Sequence, residues 1–423
     1  MSKIKLYTPR SSERLLHTLD FISEHFLKES ISIISDPPSN EIEASINYSK
    51  NELQGCYQLI PEGLLFEKGI REISNDPFIF GKHNDILALV FHGLSRYEEY
   101  QIKERDEHGR FSYSSLSNEK LELIKRPFLD QLIINWINQL EEFFQMELLS
   151  PRTPKAICTF DIDVAYAYRG RGLLRTTGSK LKDVFSGDKD RIEERKKVLK
   201  GEVKDPFDTY DLQKKVTEDM CIETRHFFLV SNEHNFDHAI PSDSKEFEEL
   251  VRSVSSFSKV GIHPSYNSHK GIETLMDEVQ VLEQILDNEI NTSRQHYLKF
   301  DLPSTFQDLI QCGVKEEYSM GYANASLFRA GTSFPFKFYD LENEEITGLK
   351  VFPLLWMDST YYYDKNKDAT KAGKRLFEII DEVKKVGGVF IANWHNDKLG
   401  VSIEAREWRD LFLKMIQKLE KAF

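Results

Sequence analysis

Residues 156–163 read AICTFDID, a short apolar and β-branched run that ends in two carboxylates one residue apart. Such a run reads as a buried strand. At the carboxyl end of a strand the chain turns into a loop, where Asp161 and Asp163 can both reach one cavity. Barrel enzymes keep their chemistry at that end. Two carboxylates in one cavity repel unless a cation or a proton lies between them, so this segment points to a metal or a shared proton.

From Lys155 onward the pattern alternates strand and helix. Strands are expected at Ala156–Phe160, His226–Val230, Val260–His263, Val351–Leu354 and Val389–Trp394, with helices near 209–220, 244–256, 274–286, 304–311, 369–386 and 402–421. Repeated βα units predict an α/β fold with a parallel sheet, either open or closed into a barrel. The segment Arg169–Lys200 is too polar for a strand and reads as a helical insertion, with an apolar register at Leu173, Leu174, Leu181, Val184 and Phe185.

The residues before this array form a smaller α/β unit. Strands are expected at Ile4–Tyr7, Ile31–Ile34, Ala44–Tyr48 and Tyr57–Ile60, with helices from Ser11 or Ser12 to Leu27, from about Asn84, and from Pro127 to Met146. Two prolines within Ser150–Pro154 cannot continue a helix, which sets a boundary between residues 1–150 and 151–423.

Composition excludes several function classes. With 56 Lys+Arg against 69 Asp+Glu, the net charge of -13 argues against a general nucleic-acid or anionic-membrane surface. Cys56, Cys158, Cys221 and Cys312 lie far apart with no CxxC pair, so neither a zinc ribbon nor a disulfide framework is indicated. No apolar run reaches transmembrane length, and the start MSKIKL lacks the apolar stretch of a signal peptide. A soluble cytoplasmic protein is the expectation.

Further polar residues follow the strand-like runs: His263, His395, then Arg294 and Tyr297 in SRQHY, and Arg329 in LFRAG. Each alone could be bland, since a histidine after a strand is more often packed or solvated than a ligand. Their recurrence at successive strand ends of one array is harder to dismiss.

The ordered series TFDID, GIHPSYNS, SRQHY, EYSMGYANASLFRAGTSFPF and NWHND resembles the polysaccharide deacetylase family, the NodB-homology carbohydrate esterases. The resemblance spans about Lys155 to Trp408. It implies a distorted (β/α) barrel of the polysaccharide deacetylase type. LLFEKGI, SRYEEY and DEHGRF resemble the accessory domain that precedes it in a bacteroidete-type subgroup.

Carried over by position, the resemblance makes Asp161 the general base, Asp163 and His263 metal ligands, Arg294 a wall residue orienting a carboxylate, and His395 the acid. Tyr297, Arg329 and Trp394 become candidate substrate contacts, the rings offering an apolar face to a sugar. A divalent metal, zinc in the family pattern, and a carbohydrate substrate are implied, with no nucleic acid and no membrane span.

The departures are specific. Asn267 stands where a second histidine ligand is expected, His296 stands where a proline is expected, and the acid of the fourth motif is Glu316 or Glu317. Losing an imidazole weakens zinc and favours oxygen-loving ions or an empty site. The leading expectation is a hydrolase of carbon–nitrogen, non-peptide bonds that removes an N-acyl group, acetyl in the family pattern, from a sugar or polysaccharide precursor. The alternative is a non-catalytic carbohydrate-binding protein on a degenerate deacetylase fold. A phosphoryl-transfer enzyme built on the DxD pair finds no glycine-rich phosphate loop to support it.

Overall fold

A computed structural model of the chain describes residues 4–38, 44–72, 84–171, 189–220, 222–231, 235–364 and 367–423. The apolar register expected at Leu173–Phe185 lies outside these residues; downstream of it, Lys189–Leu199 is helical.

The first unit is built on a parallel sheet of β1 (Ile4–Tyr7), β2 (Ile31–Ile34), β3 (Ala44–Tyr48) and β4 (Tyr57–Leu59), in the order β2-β1-β3-β4. The helix Glu13–Phe26 starts where the Ser12 side chain accepts the Leu15 amide, satisfying one of the donors a helix start leaves free. Helices Ile86–Leu94 and Phe128–Phe144 complete the unit, the first buried along its whole length.

The second sheet contains β5 (Lys155–Ile162), β6 (Glu223–Leu229), β7 (Lys259–His263), β8 (Thr292–Ser293), β9 (Glu316–Met320), β10 (Phe336–Asp340), β11 (Glu345–Pro353), β12 (Trp356–Met357) and β13 (Val389–His395). Its order is β10-β11-β9-β8-β7-β6-β5-β13-β12, parallel except for the β10/β11 hairpin. The chain between β11 and β12 closes it. The Leu354 amide donates to the Met320 carbonyl of β9, and the next amide, Leu355, donates to Ile391 of β13. One continuous segment therefore pairs with strands on both sides of the gap and curls the sheet into a distorted barrel. Helices 245–255, 272–286, 304–311, 369–386 and 403–422 follow β6, β7, β8, β12 and β13, as βα units require.

Strand parity decides what faces inward. Ile157, Phe227, Tyr318, Leu354, Met357 and Ile391 pack together inside the barrel, whereas Cys158, Phe160, Ile162, Phe390 and Trp394 join the larger core under the helices. Gly261 is required where β7 passes its neighbours: a Cβ there would lie 2.7 Å from the Thr292 carbonyl and 2.8 Å from the Phe227 ring.

The two sheets share one core. That cluster runs from Ile4 to Leu419 without a break between units. Polar ties reinforce it: the Asp130 carboxylate accepts from the Thr332 hydroxyl at 2.5 Å and from the Ser333 amide and hydroxyl at 2.8 and 2.7 Å. Arg329 Nε and Nη2 donate to Glu99 at 2.8 and 2.5 Å. The His25 ring stacks on Phe334 at 4.9 Å.

Candidate metal centre

The strands β5, β7 and β13 end at one mouth of the barrel and deliver Asp161, His263 and His395 to it. His395 is the direct register partner of Asp161 on the adjacent strand. Asp161 is 2% exposed and held at both oxygens: Arg294 Nη1 donates to Oδ1 at 3.3 Å and Asn393 Nδ2 to Oδ2 at 2.7 Å. Arg294 is itself fixed from below, donating to Thr159 Oγ1 at 2.7 Å and to the Tyr318 carbonyl at 3.1 Å, with its guanidinium 4.9 Å from the Phe227 ring centre. A carboxylate pinned this way cannot rotate away from the cavity.

Asp163, His263 and His296 bring their ligand atoms within 4.8 Å of one another. His263 Nδ1 lies 2.5 Å from the Arg294 carbonyl, which can only accept, so Nδ1 carries the proton and Nε2 is left with its lone pair. His296 repeats the device, with Nδ1 2.8 Å from Asp237 Oδ1. The two Nε2 atoms then face Asp163, at 3.2 Å from Oδ1 and 3.6 Å from Oδ2. Asp163 Oδ1 is buried with no hydrogen-bond donor directed at it, although the side chain keeps 31% of its surface open. Two imidazole lone pairs and an anion converge on one point, an arrangement that a cation completes.

Charge balance without a cation falls on the histidines. Burial opposes the charged form of His296, but Asp163 and Asp237 outweigh it and raise its pKa to about 9. Burial would also push Asp163 up, yet His296, His263 and His395 hold it well below the usual carboxylate range.

His395 sits beside this cluster, with Nε2 3.8 Å from Asp163 Oδ2. Asp358 grips it twice, accepting the His395 amide at 2.8 Å and approaching Nδ1 at 2.6 Å. Against burial, Asp358 and then Asp163 and Asp161 raise the His395 pKa to about 10.

The mouth therefore assembles Asp161, Asp163, His263, Arg294 and His395. Tyr297 lies on its rim, its ring 4.7 Å from His296. His296 offers a second imidazole beside Asp163 and His263, while Asn267 begins the short helix Ser268–Lys270 and its carbonyl accepts the Lys270 amide. Two expectations are corrected. Trp394 does not face the cavity: adjacent to His395 on a strand, it points outward, is 0% exposed, and packs on Trp356 and Phe412. Arg329 is 3% exposed and spent on Glu99, so it holds the two units together.

The fourth-motif acid is also displaced. Glu316 lies near Lys259 and Arg225, and Glu317 accepts from Ser319. Asp358 instead supplies the carboxylate behind His395. Sequence reading missed Asp358, Asn393 and Asp237 as well as the place of His296 beside Asp163 and His263. Asn393 carried a usable signal, because it shares the inward parity of His395 two residues on.

Residues 4–145 match DUF7033, a family of unknown function. No curated protein matches the sequence. Among solved structures, a protein from Mycobacterium smegmatis assigned to the polysaccharide deacetylases aligns over 64% of this chain and 91% of its own, at 12% identity and a TM-score of 0.40. A 4-alpha-glucanotransferase from Thermococcus litoralis aligns over 64% of this chain and 38% of its own, at 12% identity and a TM-score of 0.36. A mutant of BA3943, a CE4 family pseudoenzyme with restored enzymatic activity, aligns over 64% of each chain, at 10% identity and a TM-score of 0.31. Scores this low decide nothing about chemistry, which rests on the residues themselves. Among the described residues no helix is long and apolar enough to cross a membrane.

Proposed function

We propose that this chain is a metal-dependent hydrolase that removes an N-acyl group, acetyl in the simplest case, from an N-acylated sugar or polysaccharide precursor. The observation that carries the reading is the convergence of His263 Nε2 and His296 Nε2 on Asp163, each imidazole committed at Nδ1 to an acceptor behind it. Zinc suits this donor set. When bound there, a divalent ion polarises an amide carbonyl and makes water more acidic.

The chain's own groups divide the proton transfers. Asp161, fixed by Arg294 and Asn393, accepts the proton of the attacking water. His395, oriented by Asp358 at Nδ1, donates to the departing amine. Arg294 orients the base. Tyr297 borders the place where the sugar lies. We assign these tasks to the barrel unit, residues 151–423, and treat residues 1–150 as the accessory unit.

The non-catalytic reading draws its support from Asn267; in the proposed ligand set His296 supplies the second imidazole. Metal analysis together with acetate release from N-acetylglucosamine and its oligomers tests the proposal. Zinc-loaded protein that binds these sugars but frees no acetate would return the chain to the binding-only class.

A further inference from the structure

The accessory unit reaches the barrel mouth through the loop Asp106–Arg110. Asp106 Oδ1 accepts the His108 and Arg110 amides at 3.0 and 2.9 Å, and its Oδ2 accepts Arg110 Nε at 2.8 Å. The loop is thereby stiffened from within, and it presents two side chains to the barrel. Arg110 Nη1 donates to the Tyr297 carbonyl at 2.8 Å. His108 Nδ1 lies 3.0 Å from the Tyr266 hydroxyl, and its ring centre is 5.0 Å from that of Tyr297.

The Tyr297 turn is the segment that carries His296. Tyr297 has φ 61°, and Leu298 follows at φ 51°, a left-handed conformation that bulky residues rarely adopt and that surrounding contacts must hold. Arg110 is one such contact. Beside the turn, Phe236 stacks on Tyr266 with ring centres 4.0 Å apart, yet stays 40% exposed. Phe236 immediately precedes Asp237, the residue that orients His296. An open aromatic face bordered by hydroxyl and imidazole groups fits a pyranose ring, whose C–H face is apolar and whose rim is polar.

We infer that the accessory unit completes the substrate site: His108 walls a sugar subsite on the open side of Phe236 beside the candidate metal cluster, and Arg110 positions the Tyr297 turn. The inference rests on the deacylase reading and extends it to a substrate longer than one sugar. Arg110 acts here as a positioning residue, whereas His108 borders the sugar itself.

The test uses the full chain, zinc-loaded, with the tetramer of N-acetylglucosamine as probe, titrated by calorimetry and assayed in parallel for acetate release. His108→Ala and Phe236→Ala should each weaken tetramer binding and raise KM by about tenfold, with the smaller part of the effect in kcat. Arg110→Ala should raise KM similarly, and Arg110→Lys should recover part of it. If His108→Ala fails to fold, His108→Gln, which keeps a polar group for the Tyr266 hydroxyl, takes its place. Tetramer affinity unchanged in both the His108 and Phe236 variants overturns the inference, as does a wild-type chain that does not bind the tetramer. Binding weakened by these variants without acetate release from any form supports the subsite and overturns the deacylase reading instead.

Discussion

His296 donates Nδ1–H to Asp237 Oδ1 at 2.8 Å, and this bond fixes which nitrogen faces Asp163. Orienting partners of this kind commonly contribute 10- to 100-fold to metal affinity. His296→Ala should therefore weaken zinc binding by at least about 100-fold, and Asp237→Ala by roughly 10- to 100-fold. Asn267→Ala should leave it nearly unchanged. Calorimetric zinc titration of the three variants checks the ranking; a loss at Asn267 as large as that at His296 would refute the ligand set.

Asp161→Asn keeps the shape of the side chain but cannot accept a proton. Turnover should fall by about 10²- to 10⁴-fold while zinc content stays at the wild-type level. Acetate release and metal analysis on one preparation separate the two effects. Substantial residual activity would remove Asp161 as the base.

Loss of His395 should cost about 10²- to 10⁴-fold in kcat through the missing acid. Asp358→Asn should act through the same ring, lowering kcat with little change in zinc affinity. If Asp358→Asn instead emptied the metal site, its role would be in the cluster and not behind the acid.

The Arg329–Glu99 pair is buried, and Glu99 is shared with Arg96. Burial alone would raise the Glu99 pKa, but Arg329 and Arg96 lower it to about 2, so it is charged throughout the useful pH range. Glu99→Ala leaves two buried guanidinium groups short of a partner and should cost about 3–5 kcal/mol. Urea unfolding measures this, and a cost below about 1 kcal/mol would mean that solvent reaches the pair.

Acid should destabilise the fold through two neutral histidines. Burial lowers His17 to about 4 and His226 to about 3, each buried with hydrogen bonds that suit the uncharged ring. The unfolded chain protonates near 6.5, so this stability is fully present above that pH. It is lost as pH falls from 6.5 towards 4 for His17 and towards 3 for His226, by about 1.4 kcal/mol for each unit of separation. Thermal melts between pH 7.5 and 4 should show the decline, and His17→Gln should make it shallower. A melting temperature flat across that range would contradict the buried neutral assignment.

Local periodicity already determined much of this protein. Apolar β-branched runs alternating with amphipathic stretches carry strand and helix information in a few residues, so β1, β5, β7 and β13 and most helices stand where the pattern puts them. The strands that escaped notice are short or charged. β8 has only Thr292–Ser293, and β9 reads EEYSM, which offers no apolar run. Asp161, Asp163, His263 and His395 were legible because strand ends of a βα array point to one mouth.

Tertiary structure decided the rest. Trp394 and His395 are neighbours on one strand and must face opposite ways, so only one could enter the cavity; the register with Asp161 chose His395. The meeting of His296 with Asp163 and His263 depends on how loops from different strands come together, and Arg329 finds Glu99 across 230 positions of chain. A charged side chain states what partner it needs. Where that partner stands is settled only when distant segments are packed into one core, because no local pattern encodes the distance between them.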